Sequence, residues 1–290
     1  MSLIVTTEYD FQRVQPPALP LATDQYSKAY QDQLNNVLRL YFNRLQNILN
    51  QMNTGSGEID GSGMQFPYGA FSDTAYTTLS AGINNSVTTI PVVSTVGFLT
   101  AGELRIFTEV ITYTGKTATS FTGCTRGARG SANIAHSTGA VVTKIQSPVA
   151  NTAVPMYVNT TDFSNEVTVI DQYKFTAVKA GLYNLQWSGQ FNNTDTTEHD
   201  ASVWLRVDGV DVPGSTGFIA VVSKHGGIDG HGIIGWNYYI QLTAGQNVQI
   251  WWSTTNEKLT LECYGPSTGP TRPSTASVVA TLSFVSALPP

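Results

Sequence analysis

The sequence predicts a mainly β protein with an N-terminal helix, a small β module and a C-terminal antiparallel sandwich of the jelly-roll type. Through most of the second half of the chain, apolar residues alternate with polar ones, which is the period of a strand with one buried face. Turn sequences such as Asp208-Gly209 separate these short stretches at regular intervals. A seven-residue apolar repeat, typical of a helix that packs on another helix, precedes residue 54.

Residues 1–53 are interpreted as an arm and a helix. Prolines keep the segment Pro16–Leu21 extended, and Thr23 or Asp24 can cap a helix that runs to about Asn53. Because no second apolar helix is predicted, we expect the apolar face to pack against its own copies or against a larger assembly; burial within the chain is the alternative. That face carries Leu34, Leu38, Tyr41, Leu45, Ile48 and Met52.

Two regions connect this helix to the sandwich. Residues 54–74 are predicted to form a linker, because NTGSGEIDGSG at 53–63 is rich in Gly and Ser. Residues 75–148 are predicted to form the small β module. Its expected strands include Glu103–Phe107, Val110–Tyr113 and Val141–Lys144.

Residues 149–290 carry the predicted sandwich, and the stretch 232–253 is interpreted as its central hairpin. A turn at 243–245 would pair Leu242 with Val248, which places Tyr239 opposite Trp251 on the outer face. An aromatic pair among uncharged amides is unusual for a solvated surface. We therefore expect Tyr239 and Trp251 to meet another copy of the chain; a covering loop is the alternative.

Composition narrows the functional classes. Charged residues make up only 12% of the 290 residues, and the formal net charge is −5, so no basic field attracts nucleic acid or anionic lipid. The two cysteines fall in different modules and are expected to be unpaired thiols. The start MSLIVTTEYD is unlike a signal peptide and no stretch has the length of a membrane span, so we expect synthesis in a cytoplasm.

Three clusters carry residue types that can do chemistry. Arg126–Ser131 could cradle an anion, but a β-turn is the alternative. His225, Asp229 and His231 could contribute to a metal site on a symmetry axis, but they lie in a glycine-rich loop. Glu198-His199-Asp200 has no nucleophile in a recognisable motif nearby. We therefore expect no catalytic residue, no metal, no cofactor and no enzymatic activity, although a polysaccharide-cleaving enzyme is kept as a third hypothesis.

The C-terminal strands resemble the trimeric jelly roll of the tumour necrosis factor and complement globular-head type. The resemblance covers about Val167–Ala287 and rests on FTAVKAGLYNLQWSGQF, LRVDGVDVPGS, YYIQLTAGQNVQIWW and ASVVATLSFVSA. It implies ten strands in two sheets and a homotrimer around a three-fold axis. Bacteriophage fibres often use such domains.

Two further segments resemble proteins of tailed phages. YSKAYQDQLNNVLRLYFNRLQN is similar to the N-terminal segment of small structural proteins from phages of aquatic bacteria. EVITYTG, CTRGARG and the following His136 resemble a β module of phage tail and baseplate proteins. These resemblances imply a virion component, assembled in the host cytoplasm and attached to other virion proteins through residues 1–53.

Two functions follow, and they are compatible. We expect a homotrimeric fibre or decoration protein, or a fibre tip that recognises host glycan or protein through outer loops. The loops considered are Pro213–Gly217 and Tyr264–Pro273. In the second loop, Tyr264 suits stacking on a sugar ring and Arg272 suits an anionic group; a rigid connection without a ligand is the alternative.

Overall fold

A computed structural model of the protein describes residues 17–21, 25, 27–54 and 66–287. These residues divide into two compact units, which are the segment before residue 67, with its helix, and the β body Pro67–Ser286. Most of the predicted N-terminal arm and the Gly/Ser-rich segment 55–65 lie outside the described residues.

Helix α1 spans Lys28–Thr54 and begins three or four residues later than the sequence suggested. Ser27 caps it, because the Ser27 hydroxyl accepts a hydrogen bond from the Tyr30 amide at 3.3 Å. The predicted caps Thr23 and Asp24 lie outside the described residues. The predicted apolar face is half-buried at Leu34, Leu38, Tyr41, Leu45 and Ile48, and none of these five side chains is fully buried.

The β body consists of strands joined by turns. In chain order they are β1 (Tyr68–Ser72), β2 (Tyr76–Thr78), β3 (Ile90–Pro91), β4 (Gly102–Ile106), β5 (Glu109–Tyr113), β6 (Gly115–Lys116), β7 (Ser120–Thr122), β8 (Thr125–Ala128), β9 (Val141–Gln146), β10 (Val154–Pro155), β11 (Thr160–Asn165), β12 (Val167–Ile170), β13 (Lys174–Ala177), β14 (Gly181–Asn193), β15 (His199–Val207), β16 (Val210–Asp211), β17 (Gly217–Val221), β18 (Gly230–Leu242), β19 (Asn247–Thr254), β20 (Leu259–Glu262), β21 (Ser267–Thr268), β22 (Thr271–Arg272) and β23 (Val278–Ser286).

Two antiparallel sheets dominate the body. The eleven-stranded sheet has the order β11-β1-β23-β14-β20-β9-β4-β5-β8, with β18 paired to β14 and β2 paired to β9. The seven-stranded sheet has the order β12-β13-β19-β15-β16, with β10 paired to β19 and β17 paired to β15. The prediction of a mainly β protein with an N-terminal helix and antiparallel sheets is therefore confirmed.

The two sheets pack against each other around one hydrophobic cluster. The seven-stranded sheet contributes Phe175, Leu205 and Trp252, and the eleven-stranded sheet contributes Tyr183 and Leu282, all fully or almost fully buried. Alternate residues along each strand enter this cluster, which makes the arrangement a β-sandwich.

A second hydrophobic cluster lies within residues 75–142 and includes Leu79, Ile90, Leu104 and Phe121. Strands β3, β7 and β6 near this cluster form a small sheet of their own. Strands β4, β5, β8 and β9 instead continue the eleven-stranded sheet, because β9 pairs with β20. Buried ion pairs join the same regions: Lys144 Nζ lies 2.8 Å from Asp73 Oδ1, and Arg105 Nη1 lies 2.8 Å from Glu262 Oε2.

The predicted central hairpin is wrong. Strand β18 pairs with β14 in one sheet, whereas β19 pairs with β10, β13 and β15 in the other. The turn at 243–246 crosses between the sheets, so Leu242 and Val248 both face the shared core instead of pairing. Alternation shows which side chains face a core, but it does not show which strand lies alongside.

The predicted linker 54–74 also needs correction at its end. Tyr68–Ser72 forms strand β1, which pairs with β11 on one side and β23 on the other. The apolar character of Ala70 and Phe71 explains this, because both side chains are buried.

Candidate functional site

The outer face of the eleven-stranded sheet carries an uncharged surface along β18. Tyr239 projects from it with 59% of its surface exposed, and the neighbouring Asn184 side chain donates a hydrogen bond to Asn237. Within the described residues, β14 is the single strand that pairs with β18, so one side of this thirteen-residue strand is open. An open edge beside exposed aromatic residues is a surface suited to association.

Trp236 lies on the opposite face of β18 from Tyr239, on the side that meets the other sheet at the edge of the sandwich. It lies over Gly217 of β17, and a Cβ atom at residue 217 would stand 2.3 Å from the indole ring. Glycine is therefore required there for the ring to pack, and Trp236 keeps 40% of its surface exposed.

Trp251 lies elsewhere, on the outer face of the seven-stranded sheet, where it is opposite Trp204 in register. Its indole Nε1 donates to Gln249 Oε1 at 2.7 Å, and the Arg206 guanidinium lies 3.8 Å from its ring centroid. Tyr173 meets the ring edge-on at 6.3 Å. Trp251 is thus covered in part by its own chain, and the structure does not bring it together with Tyr239.

The two predicted ligand residues differ in their surroundings. Tyr264 forms a backbone bridge with Thr275, and its hydroxyl is buried near Glu262, where burial raises the pKa of the phenol well above its usual range. Its ring contacts His231 at 5.9 Å. Tyr264 therefore packs into the body, whereas Arg272 is exposed and lies 6.0 Å from the Tyr264 ring centroid.

A cleft of about 350 Å³ lies beside Arg272 on the outer face of the eleven-stranded sheet. Its floor is formed by Ser188 and Gln190 of β14, with Ile233 of β18 and Val279 of β23 alongside. Ser188 pairs with Val279, and Gln190 pairs with Ile233, so three adjacent strands position these side chains. The segment 272–277 forms the remaining wall.

Arg272 differs electrostatically from the other cations of the β body. Its one described polar contact is a hydrogen bond of 3.4 Å to the Thr275 hydroxyl. Every other Lys or Arg of residues 67–286 has a carboxylate or carbonyl partner: Arg105, Arg126, Arg129, Lys144, Lys174, Lys179, Arg206, Lys224 and Lys258 pair with carboxylates, and Lys116 donates to the Thr95 and Phe98 carbonyls.

Four members of the three clusters named above, Arg126, Asp229, His231 and His199, contact other side chains of the body. Arg126 pairs with buried Glu109, so Arg126–Ser131 does not offer that arginine to an anion. Asp229 pairs with Arg105, and His231 packs on Tyr264. His199 Nε2 lies 2.9 Å from Asp195 Oδ2. No group of three or more His, Cys, Asp or Glu side chains suited to a metal occurs among the residues that the structure describes.

Sequence reasoning missed the buried charges that join the body. Glu109, for example, accepts hydrogen bonds from Arg126 and His136; burial opposes its ionisation, but these partners hold its pKa below the usual range. A signal was present in the sequence. Lys144 and Glu262 interrupt apolar runs, VVTKI and LTLEC, where an unpaired charge would be costly.

Comparison with known proteins gives no relative: no protein-family model matches the chain, and no curated protein shows significant sequence similarity to it. Within its described residues, the chain has no helix that is both long and apolar enough to cross a membrane.

Proposed function

We propose that the protein is a structural component of a tailed phage particle, in which it forms a homotrimeric fibre or decoration. The observation that carries this proposal is the open, uncharged outer face of β18 around Tyr239. Association there would cover both the exposed ring and the unpaired backbone groups of the edge strand. On its inner side the same strand is buried at Ile240 and Leu242, so the outer face is the side available to a partner.

The strand order supports the jelly roll that underlies this proposal. Strands β1, β23, β14 and β18 lie side by side in one sheet, and β13, β19, β15 and β17 lie side by side in the other. The chain passes repeatedly from one sheet to the other, as in a double-sheet jelly roll. Such domains assemble as homotrimers in the families that the sequence resembles.

The helix supports an anchoring role for residues 1–53. Its half-buried face of Leu34, Leu38, Tyr41, Leu45 and Ile48 has the heptad spacing of a helix that packs on other helices. We infer that these residues contact other copies of the chain or other virion proteins. The charge balance of −5 favours a protein partner over nucleic acid or an anionic membrane.

The experiment is immunogold labelling of purified phage particles with an antibody against the β body. Full-length protein should label the particles, and protein lacking residues 1–53 should fold but leave them unlabelled. Circular dichroism of the truncated protein is the control for folding. Particles that carry the truncated protein at the normal level would contradict anchoring by residues 1–53.

Host attachment is a second candidate function, and the cleft beside Arg272 favours it. A concave pocket lined by both polar and apolar groups, with one exposed cation, is suited to a small part of a cell-surface molecule. Particles carrying Arg272→Gln would then adsorb more slowly to host cells. An unchanged adsorption rate would leave the protein as a decoration.

A further inference from the structure

The charge pattern around the cleft indicates an anionic ligand. In a body where every other Lys and Arg has a carboxylate or carbonyl partner, Arg272 directs its guanidinium at no described carboxylate. A guanidinium binds a carboxylate or phosphate through two parallel hydrogen bonds. The Arg272 guanidinium is therefore available to bind one anionic group of a ligand.

The rest of the cleft is uncharged. Ser188, Gln190 and Ser274 line it, and their side chains have no hydrogen-bond partner among the described residues. Ile233, with 71% of its surface exposed, and Val279 provide an apolar wall beside them. Hydroxyl and amide groups next to an apolar surface are complementary to a molecule that has both hydroxyls and a C–H face.

We propose that this cleft binds an acidic saccharide, with the sugar carboxylate on Arg272 and sugar hydroxyls on Ser188 and Gln190. Nucleic acid is disfavoured, because a single unpaired arginine on a chain of net charge −5 provides no basic track for a phosphate backbone. A free phosphate could use the same guanidinium, but it would leave the apolar wall and the amide without a role. The proposal deepens the host-attachment function by naming its ligand class.

The test uses full-length protein and saturation-transfer NMR with trigalacturonate as the probe. Trigalactose, which lacks the carboxylates, is the matched neutral sugar, and inorganic phosphate tests for a general anion site. Trigalacturonate should bind saturably, and neither trigalactose nor phosphate should displace it. Arg272→Gln should weaken binding about tenfold, because a hydrogen-bonded charge pair is lost. The affinity of Arg272→Lys for trigalacturonate should lie between those of wild type and Arg272→Gln, since lysine keeps the charge but not the paired donors.

Arg206→Gln is the control, because Arg206 is paired with Asp211 on the opposite sheet. It should leave binding unchanged. The proposal is overturned if trigalacturonate does not bind, if Arg272→Gln binds it as wild type does, or if phosphate displaces it. These outcomes are independent of host attachment, because the binding experiment needs neither particle nor host. If the protein binds the sugar but Arg272→Gln particles adsorb at the normal rate, host attachment is refuted and the saccharide site remains.

Discussion

Tyr239 and Trp251 lie on opposite outer faces of the sandwich, although only eleven residues separate them along the chain. Tyr239 is opposite Asn184 in the eleven-stranded sheet, and Trp251 is opposite Trp204 in the seven-stranded sheet. No single face of a protomer therefore carries both rings. The proposed trimer interface is assigned to Tyr239, because Trp251 is already packed against Arg206 and Tyr173.

Trp251 should contribute to the stability of one protomer and not to association. Trp251→Ala removes the stacked Arg206 guanidinium contact and the cross-strand pair with Trp204, and should lower the free energy of unfolding by about 1 kcal/mol. Urea unfolding measures this change, with Phe218→Ala as a control because that ring is 74% exposed. Dissociation of the assembly by Trp251→Ala would contradict the assignment.

The Arg105–Glu262 pair should matter far more to stability than an exposed ion pair. Both side chains are buried, so Glu262→Gln leaves a buried guanidinium with less compensation and should cost about 3–5 kcal/mol. Arg206→Gln, at the pair with exposed Asp211, should cost far less. Equal unfolding midpoints for the two variants in urea would refute the structural role of the buried pair.

Acid should destabilise the β body through Glu109. Because hydrogen bonds from Arg126 and His136 lower its pKa in the folded state against the opposing effect of burial, the ionised carboxylate stabilises the fold above the unfolded pKa of about 4.3. This stabilisation is lost as the pH falls through the lower folded-state pKa. The Glu109→Gln variant should have a lower unfolding temperature at pH 7, and this temperature should depend less on pH below about 4. A wild-type pH profile in the variant would contradict this.

The two thiols should be unreactive in the folded protein. Cys124 and Cys263 are unpaired and buried, and burial raises their pKa values to about 11 and about 12. A thiol reagent at pH 8 should therefore modify both residues only after urea is added, and reductant should not alter the oligomeric state. Rapid modification of either thiol in native protein would contradict the prediction that it is buried.

The sequence predicted which side of each strand is buried better than it predicted which strands pair. Alternation correctly placed Ile240, Leu242, Ile250 and Trp252 toward the core, where all four are buried. It could not reveal that the turn after Leu242 crosses to the other sheet, because a hairpin and a crossing turn leave the same alternation. Local pattern determines side-chain direction, whereas pairing depends on the whole topology.

The candidate site was predictable only in part for the same reason. Arg272 is recognisable in a stiff loop with three prolines, but Ser188 and Gln190 reach the cleft from a strand more than eighty residues earlier. Likewise, Asp73 and Lys144 form an ion pair across 71 residues, and no local signal identifies that partner.

The most direct test of the account is the mass of the protein in solution by light scattering at micromolar concentration. Wild type should have three times the 31.2 kDa mass of one chain. Tyr239→Glu should release monomers, because three like charges would be buried near one axis. Phe218→Glu, an exposed aromatic residue on the other sheet, should remain trimeric. A monomeric wild type, or a Tyr239→Glu variant that remains trimeric, would contradict the proposed assembly.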